Sequence, residues 1–147
     1  MKLYNDFFNK FLFLSPITAS FIGYYDYNKK YIDYYKKENE IIYKKFLLKY
    51  LKIVKNQLKK KNSYKNNHFL KVLKSRLEYV VEAYKYKFDL FVMDSYNNPI
   101  LDWIELSSGK SFIKLETEKQ ICDFMERTKL FLISINSLIE KLEEGIQ

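Results

Sequence analysis

The stretch TEKQICDFMERTKLFLISINSLIEKLEEG, residues 117–145, decides the fold of this 147-residue chain. Its large apolar side chains recur every three or four residues, which is the repeat of one face of an α-helix. Thr117 followed by Gln120 matches a capping box, and Gly145 supplies a helix stop. The pattern predicts one long C-terminal helix. Its expected core-facing stripe is Ile121, Phe124, Met125, Phe131, Ile135, Leu138 and Leu142, widened by Leu132 and Ile139.

Two more amphipathic segments come before this helix, at about residues 35–61 and 68–91. Lysines fill much of the first segment between its apolar positions, as expected for a helix with one buried face. The turn between the segments is short, so the two helices are expected to pack antiparallel. Residues 97–114, which follow the second segment, show no regular pattern. The predicted buried stripes are Ile42, Phe46, Leu47, Leu51, Val54 and Leu58 in the first segment, and Leu70, Leu73, Leu77, Val80, Val81, Tyr84 and Phe88 in the second.

The amino-terminal part predicts two shorter helices. Residues 2–14 carry apolar side chains at helical spacing. Ser15 then offers an N-cap and Pro16 a preset first helical position, and Gly23 ends the short helix that follows. The chain is therefore expected to be all-α, with residues 1–147 forming a single helical domain. This domain would be one bundle with two long antiparallel helices and a long C-terminal helix.

The sequence predicts a soluble, cytoplasmic protein without a membrane span. Apolar runs such as residues 11–14 fall far short of the roughly 20 residues that a spanning helix needs. The start of the chain resembles a poor export signal, but Asn9 and Lys10 interrupt its apolar run, which favours a buried amphipathic helix. Cys122 is the only cysteine, so no internal disulfide can form, and this fits a reducing compartment.

The formal charge of +8 suggests binding to nucleic acid or to an anionic surface, because clustered cations release the counterions that surround phosphates. All but two of the 26 basic side chains are lysines, and the exceptions are Arg76 and Arg127. Specific recognition of phosphates and bases relies more on the bidentate guanidinium group. A solvated lysine surface is therefore the simpler interpretation, and nucleic acid is not the expected partner.

Six tyrosines crowd residues 24–35, close to several lysines. Alternating rings and cations can stack on the bases of single-stranded nucleic acid. Tyrosine also suits a loop that covers a helix pair, with its ring packed and its hydroxyl in water. Of these two interpretations we prefer the covering role.

Few residues could support metal-dependent or nucleophilic catalysis. A helical zinc hydrolase needs two histidines one turn apart, and the chain has only His68. Cys122 flanks the predicted buried stripe with no histidine near it in sequence, so core packing is preferred to a nucleophilic role. The three glycines are far apart and do not form a phosphate-binding loop. We expect neither a metal nor a cofactor.

Carboxylates are the remaining catalytic candidates. Asp89, Asp94, Asp102 and Glu105 lie near one another in sequence and would support general acid-base chemistry if two of them met in a pocket. Acidic residues also serve as helix caps and solvated turn residues, and this interpretation is preferred. No catalytic residue is assigned, and an independent metal-free enzyme stays open as an alternative.

The segment SPITASFIGYYDYN, residues 15–28, resembles the amino-terminal signature of the bacterial family named domain of unknown function 885. Two positions depart from that signature, since Tyr25 replaces a frequent His and Asn28 stands where Asp is usual. The order of the later helices agrees loosely with the same family. The matching residues are Pro16, Ala19, Ser20, Ile22, Gly23 and Tyr27.

The resemblance implies an all-helical protein similar to zinc carboxypeptidases with a His-Glu-x-x-His motif. That motif lies far downstream in full-length relatives, and no position of this chain matches it, so no zinc ligand is carried over. The resemblance thus implies a non-catalytic amino-terminal module: a fragment, or a subunit that needs a partner chain with the catalytic part or that associates with itself. A basic helical protein that binds nucleic acid or an anionic surface is the alternative function.

Overall fold

A computed structural model describes residues 2–94 and 98–146, except for the side chains of Lys2 and Asp89. Within these ranges the chain is all-α and contains no strand, which confirms the predicted fold class. Short 3-10 turns follow α2 and α4. The helices are α1 (Lys2–Leu14), α2 (Pro16–Phe21), α3 (Lys37–Leu58), α4 (Tyr64–Ala83), α5 (Pro99–Ser107) and α6 (Glu118–Ile146).

The helices fall into two compact units. One consists of residues 1–39 and 91–147, and the other of residues 40–90. The first therefore contains α1, α2, α5 and α6, while the second contains most of α3 and all of α4. This division does not test whether the chain folds as a single domain, which stays a prediction.

Helices α3 and α4 form an antiparallel pair, as their sequence predicts. Near the end of α3, Lys55 Nζ lies 2.8 Å from Glu78 Oε1 in α4. Near the start of α3, Lys44 Nζ lies 4.8 Å from the ring centroid of Tyr84, the residue that follows α4. The contact partner thus moves from Glu78 to Tyr84 as the position in α3 moves back from Lys55 to Lys44, which is the trend of an antiparallel pair. We refer to this pair as the α3–α4 hairpin.

The buried face of the hairpin follows the predicted stripes in part: Ile42 and Phe88 are exposed, Leu58, Val80, Val81 and Tyr84 are half-buried, and Tyr50 is buried without having been predicted. Ile42 is 50% exposed, because it lies about 120° around α3 from the fully buried Val54. Phe88 is 60% exposed, since α4 ends at Ala83 and does not continue to residue 91. The left-handed backbone of Lys87, with φ of 53°, turns the chain just before Phe88. The buried side chains are Phe46, Leu47, Tyr50, Leu51 and Val54 in α3, and Leu70, Leu73 and Leu77 in α4.

Polar caps set the starts of several helices. Ser63 Oγ accepts a hydrogen bond from the Asn66 amide, so α4 begins at Tyr64 and not at residue 68 as predicted. Asn98 caps α5 by accepting hydrogen bonds from the amides of Ile100 and Leu101. Helix α5 lies within residues 97–114, for which the sequence predicted no regular structure. That prediction was wrong for residues 99–107.

The capping box at the start of α6 is confirmed. Thr117 Oγ1 accepts from the Gln120 amide at 3.3 Å, and Gln120 Oε1 accepts from the Thr117 amide at 3.0 Å. The predicted stop is wrong, since α6 passes through Gly145 and ends at Ile146. At the other predicted stop, Gly23 has a φ of 91° just after α2, as expected of a helix-ending glycine.

Helix α6 buries a different face from the one predicted. Phe124, Phe131 and Leu138 are buried as expected, whereas Ile121, Met125, Leu132 and Ile139 are exposed. The three other buried positions are polar: Arg127, Ser134 and Lys141. The centre of the buried face is rotated about the helix axis from the centre of the predicted face by somewhat less than the roughly 100° that separates consecutive residues.

The core of the first unit centres on the indole of Trp103 in α5. Its ring stacks on Phe131 at a centroid distance of 4.2 Å and on Phe124 at 5.6 Å, which joins α5 to α6. The ring of Tyr31 meets both Trp103 and Phe131 edge to face. Leu106 and Ile113 complete the buried cluster. The same unit buries Leu12 and Leu14 of α1 and Pro16 of α2. Ser15 lies at the N-cap position of α2 as predicted, but its side chain makes no capping hydrogen bond within the described residues.

We predict that Trp103→Ala lowers the free energy of unfolding by about 3–5 kcal/mol, because it removes the ring that stacks on two α6 phenylalanines and leaves a cavity. Leu101→Ala is the matched control, since Leu101 lies in the same helix and is 60% exposed. Urea unfolding followed by circular dichroism at 222 nm measures both. Equal losses for the two variants would contradict a core centred on Trp103.

Candidate functional site

Three long-range hydrogen bonds converge on Arg127 in the middle of α6. The side chain is fully buried. Its Nε donates to the Lys30 carbonyl at 2.9 Å, and its Nη2 donates to Ser20 Oγ at 2.8 Å and to the Tyr27 carbonyl. We call these four residues the Arg127 network. It fixes the loop after α2 to a helix about 100 residues further along the chain.

Ser20 connects the Arg127 network to the segment that carries the family resemblance. Its hydroxyl donates to Asn28 Oδ1 at 2.8 Å and lies 3.2 Å from the Pro16 carbonyl. Asn28, which departs from the family signature, therefore accepts a hydrogen bond from a member of this network. Tyr25, the other departure, is exposed. One guanidinium group thus constrains the conformation of residues 16–28 through its hydrogen bonds to Ser20 and Tyr27.

Two serines of α6 extend the same contact surface beyond Arg127. Ser134 Oγ donates to Tyr31 Oη at 3.2 Å, and Ser137 Oγ donates to Asp33 Oδ2 at 2.7 Å. Burial raises the pKa of Tyr31, which therefore keeps its proton at neutral pH. With its ring on Trp103, Tyr31 takes the covering role that the tyrosine-rich stretch predicts.

Burial lowers the pKa of Arg127 to about 10. The group is still charged at neutral pH, yet no carboxylate of the described residues forms an ion pair with it. Its Nη1 is buried and has no hydrogen-bond partner among the residues that the structure describes. Two backbone carbonyls and one hydroxyl accept its hydrogen bonds in place of water, and the charge of Asp123 adds an electrostatic attraction. Arg127 therefore has a positioning role: it holds the loop after α2, because its hydrogen-bond partners are two backbone carbonyls of that loop and one serine.

The residues singled out for chemistry from the sequence are dispersed and solvent-exposed where the structure describes them. His68 is exposed on α4. Cys122 is also exposed, so the expectation that it packs in the core is wrong. The turned face of α6 explains this, because Cys122 lies on the side of the helix away from Phe124 and Arg127.

The carboxylate candidates give no assembled site in the described part of the chain. Asp94, Asp102 and Glu105 are exposed, and the Asp89 side chain lies outside the described residues. Within those residues there is also no group of three or more His, Cys, Asp or Glu side chains placed to hold a metal ion. The structure therefore adds no support to the alternative of a carboxylate enzyme.

Sequence reasoning missed a groove between the two helices of the hairpin. It has a volume of about 650 Å³, and we call it the lysine groove after Lys52, Lys55, Lys59 and Lys74, which line it. Glu78 lies in the groove, with its carboxylate 2.8 Å from Lys55 Nζ and 3.5 Å from Lys74 Nζ. The hydrogen bond from Lys55 lowers the pKa of Glu78.

The charge of the chain is distributed unevenly between the two units. Residues 40–90 contain 14 basic and 4 acidic side chains, a net charge of +10. The rest of the chain contains 12 basic and 14 acidic side chains, a net charge of −2. The basic character thus belongs to the α3–α4 hairpin. A count of charge along the sequence in two halves would not reveal this, since the hairpin lies in the middle.

A second surface feature is an apolar stripe along α6. Its members alternate at intervals of four and three residues, and we call them the α6 stripe. Met125 and Leu132 are each 57% exposed, whereas Ile135 is half-buried against the Trp103 cluster. The full set is Ile121, Met125, Thr128, Leu132, Ile135, Ile139, Leu142 and Ile146.

Among the described residues, no helix has the length and apolar character that crossing a bilayer requires. Comparison of the chain with protein families, with curated proteins and with solved structures finds no match.

We predict that Arg127→Met lowers the free energy of unfolding by about 2–4 kcal/mol, because it leaves the Tyr27 and Lys30 carbonyls without their donor. Arg76→Met is the matched control, since Arg76 is exposed on α4 and its loss should cost about 1 kcal/mol or less. Urea unfolding gives the free energies, and hydrogen exchange of the amides of residues 24–31 reports the loop. Unchanged exchange in Arg127→Met would contradict the anchoring role.

Proposed function

We propose that this chain is a non-catalytic helical module that acts by associating with another chain. The partner is a second copy or a separate chain that carries a catalytic part, as the resemblance to the domain of unknown function 885 family implies. A cytoplasmic location belongs to the same proposal. The observation that carries it is the α6 stripe, of which Ile121, Met125, Leu132, Ile139 and Ile146 are exposed.

The spacing of the α6 stripe supports a helix-to-helix contact. Apolar positions that alternate at intervals of four and three are the pattern of a coiled-coil seam, in which side chains interlock with those of a partner helix. The stripe runs from Ile121 to Ile146 and has one polar member, Thr128. Scattered exposed apolar residues are ordinary on protein surfaces, but five exposed members in one row over most of a 29-residue helix point to an interaction site.

The module is proposed to be non-catalytic because the side chains best suited to chemistry have other environments. Arg127 is engaged by backbone carbonyls, while His68 and Cys122 are exposed and lie in different units. Binding through a surface therefore explains more of the described features than turnover of a substrate does.

We predict that the purified chain self-associates in light scattering over a concentration series. The double variant Leu132→Lys, Ile139→Lys should shift it to monomer, because two charges would have to be buried at the seam. Ile133→Lys is the control, since Ile133 is 67% exposed but lies about 100° around α6 from Leu132. A wild-type chain that stays monomeric at high concentration would exclude the second copy as partner.

The net charge of the hairpin favours one further candidate function, the binding of nucleic acid or an anionic surface. A net charge of +10 within 51 residues creates a strong local positive potential. Charge alone supplies affinity without sequence selectivity, as in non-specific binding to phosphates.

For this candidate we predict retention on heparin at about 50 mM salt and a steep loss of retention with added salt, because bound counterions are released on association. Elution in a salt gradient measures it. The control is a hairpin variant in which four exposed lysines, Lys45, Lys60, Lys61 and Lys65, are changed to Gln, and it should elute at lower salt. Absence of retention for the wild-type chain would remove the candidate.

A further inference from the structure

We propose that the lysine groove of the α3–α4 hairpin binds the phosphate backbone of single-stranded nucleic acid without reading its bases. The inference rests on the second candidate function above and assigns it to one site. The reasons are the arrangement of cations, the shape of the groove and the exposed aromatic rings of the same unit.

The cations of the groove come from both helices and are held close together. Lys55 of α3 and Lys74 of α4 both contact the carboxylate of Glu78. Without such a bridge, two ammonium groups at this spacing would repel each other. Lys52 and Lys59 line the same groove on the α3 side, so that four cations face a single anion. The groove therefore has spare positive charge for phosphates.

The shape of the groove favours a thin, linear polyanion. Its lining includes the apolar residues Leu48, Leu51 and Leu58 between the lysines, in a depression of about 650 Å³. A strand of phosphodiesters can lie along such a depression and contact lysines on both sides. A flat bilayer surface reaches only the rims of a concave site.

Exposed rings distinguish nucleic acid from other phosphate chains. Tyr64, at the start of α4, is 90% exposed, and Tyr79 and Tyr86 are exposed on the same unit. Such rings stack on unpaired bases with little regard for sequence, while cations follow the backbone. Because lysine presents a point charge and not the planar fork of arginine, contacts to phosphates should be unselective.

The experiment measures binding of the full chain to a fluorescein-labelled 20-nucleotide oligo-dT by anisotropy at about 50 mM salt. The groove variant is Lys52→Gln, Lys55→Gln, Lys74→Gln. The matched control is Lys49→Gln, Lys60→Gln, Lys65→Gln, which removes the same charge from exposed positions of the same unit that do not line the groove. Circular dichroism melts establish that all three proteins are folded.

We expect the groove variant to weaken binding at least about tenfold and to reduce the slope of log affinity against log salt by about 2, since three phosphate contacts are lost. The control should weaken binding less than about threefold. Equal effects of the two variants would overturn the groove as the site while leaving nucleic-acid binding by the hairpin in place. No binding of oligo-dT by the wild-type chain, with retention on heparin, would overturn the choice of nucleic acid but not of an anionic partner.

A second pair of measurements separates bases from phosphates. Tyr64→Ala should weaken oligo-dT binding about fivefold or more, because one stacking platform is lost, and should leave binding of inorganic polyphosphate unchanged. Tighter binding of polyphosphate, or of vesicles containing phosphatidylserine, than of oligo-dT would overturn the proposal in favour of that ligand.

Discussion

The structure of the first unit depends on one buried guanidinium group. A charge removed from water without a carboxylate partner is costly, so it persists only where dipoles replace its hydration. The carbonyls of Tyr27 and Lys30 and the hydroxyl of Ser20 do this for Arg127. The same hydrogen bonds hold the loop that brings Tyr31 onto Trp103. The apolar core and the loop conformation are therefore coupled through a polar contact, and neither is set by hydrophobic burial alone.

In the second unit, the electrostatic cost comes from many positive charges at the surface and not from one buried charge. Its net charge of +10 produces self-repulsion, which opposes a compact hairpin. Buried leucines and aromatic rings offset this, and Glu78 relieves it locally by contacting Lys55 and Lys74. An anionic ligand would relieve it further. A solvated lysine surface and a basic binding surface are thus distinguished by whether the lysines converge, and those of the groove do.

Much of the helical framework follows from local sequence signals, and the rest from contacts that such signals do not encode. The capping box of Thr117 and Gln120 fixes the start of α6, and it is visible in the sequence because the two residues are only three positions apart. The face that α6 buries was predicted wrongly, since hydrophobic periodicity gives no weight to Arg127 and Ser134. Their partners lie about 100 residues away.

Helix α5 was missed because Asn98 and Pro99 suggest a break, although the same pair is an N-cap followed by a favoured first residue. The lysine groove is lined by residues of both helices of the hairpin, so it could not be predicted from the sequence of either helix alone.

The placement of Cys122 has a practical consequence. The thiol is the only one in the chain, and it is open to water on α6, away from the guanidinium at its buried face. A maleimide dye or a spin label can therefore be attached at one defined position of the natural sequence. Oxidation would join two molecules through the same atom, so preparations without reductant would contain covalent pairs that mimic a natural assembly.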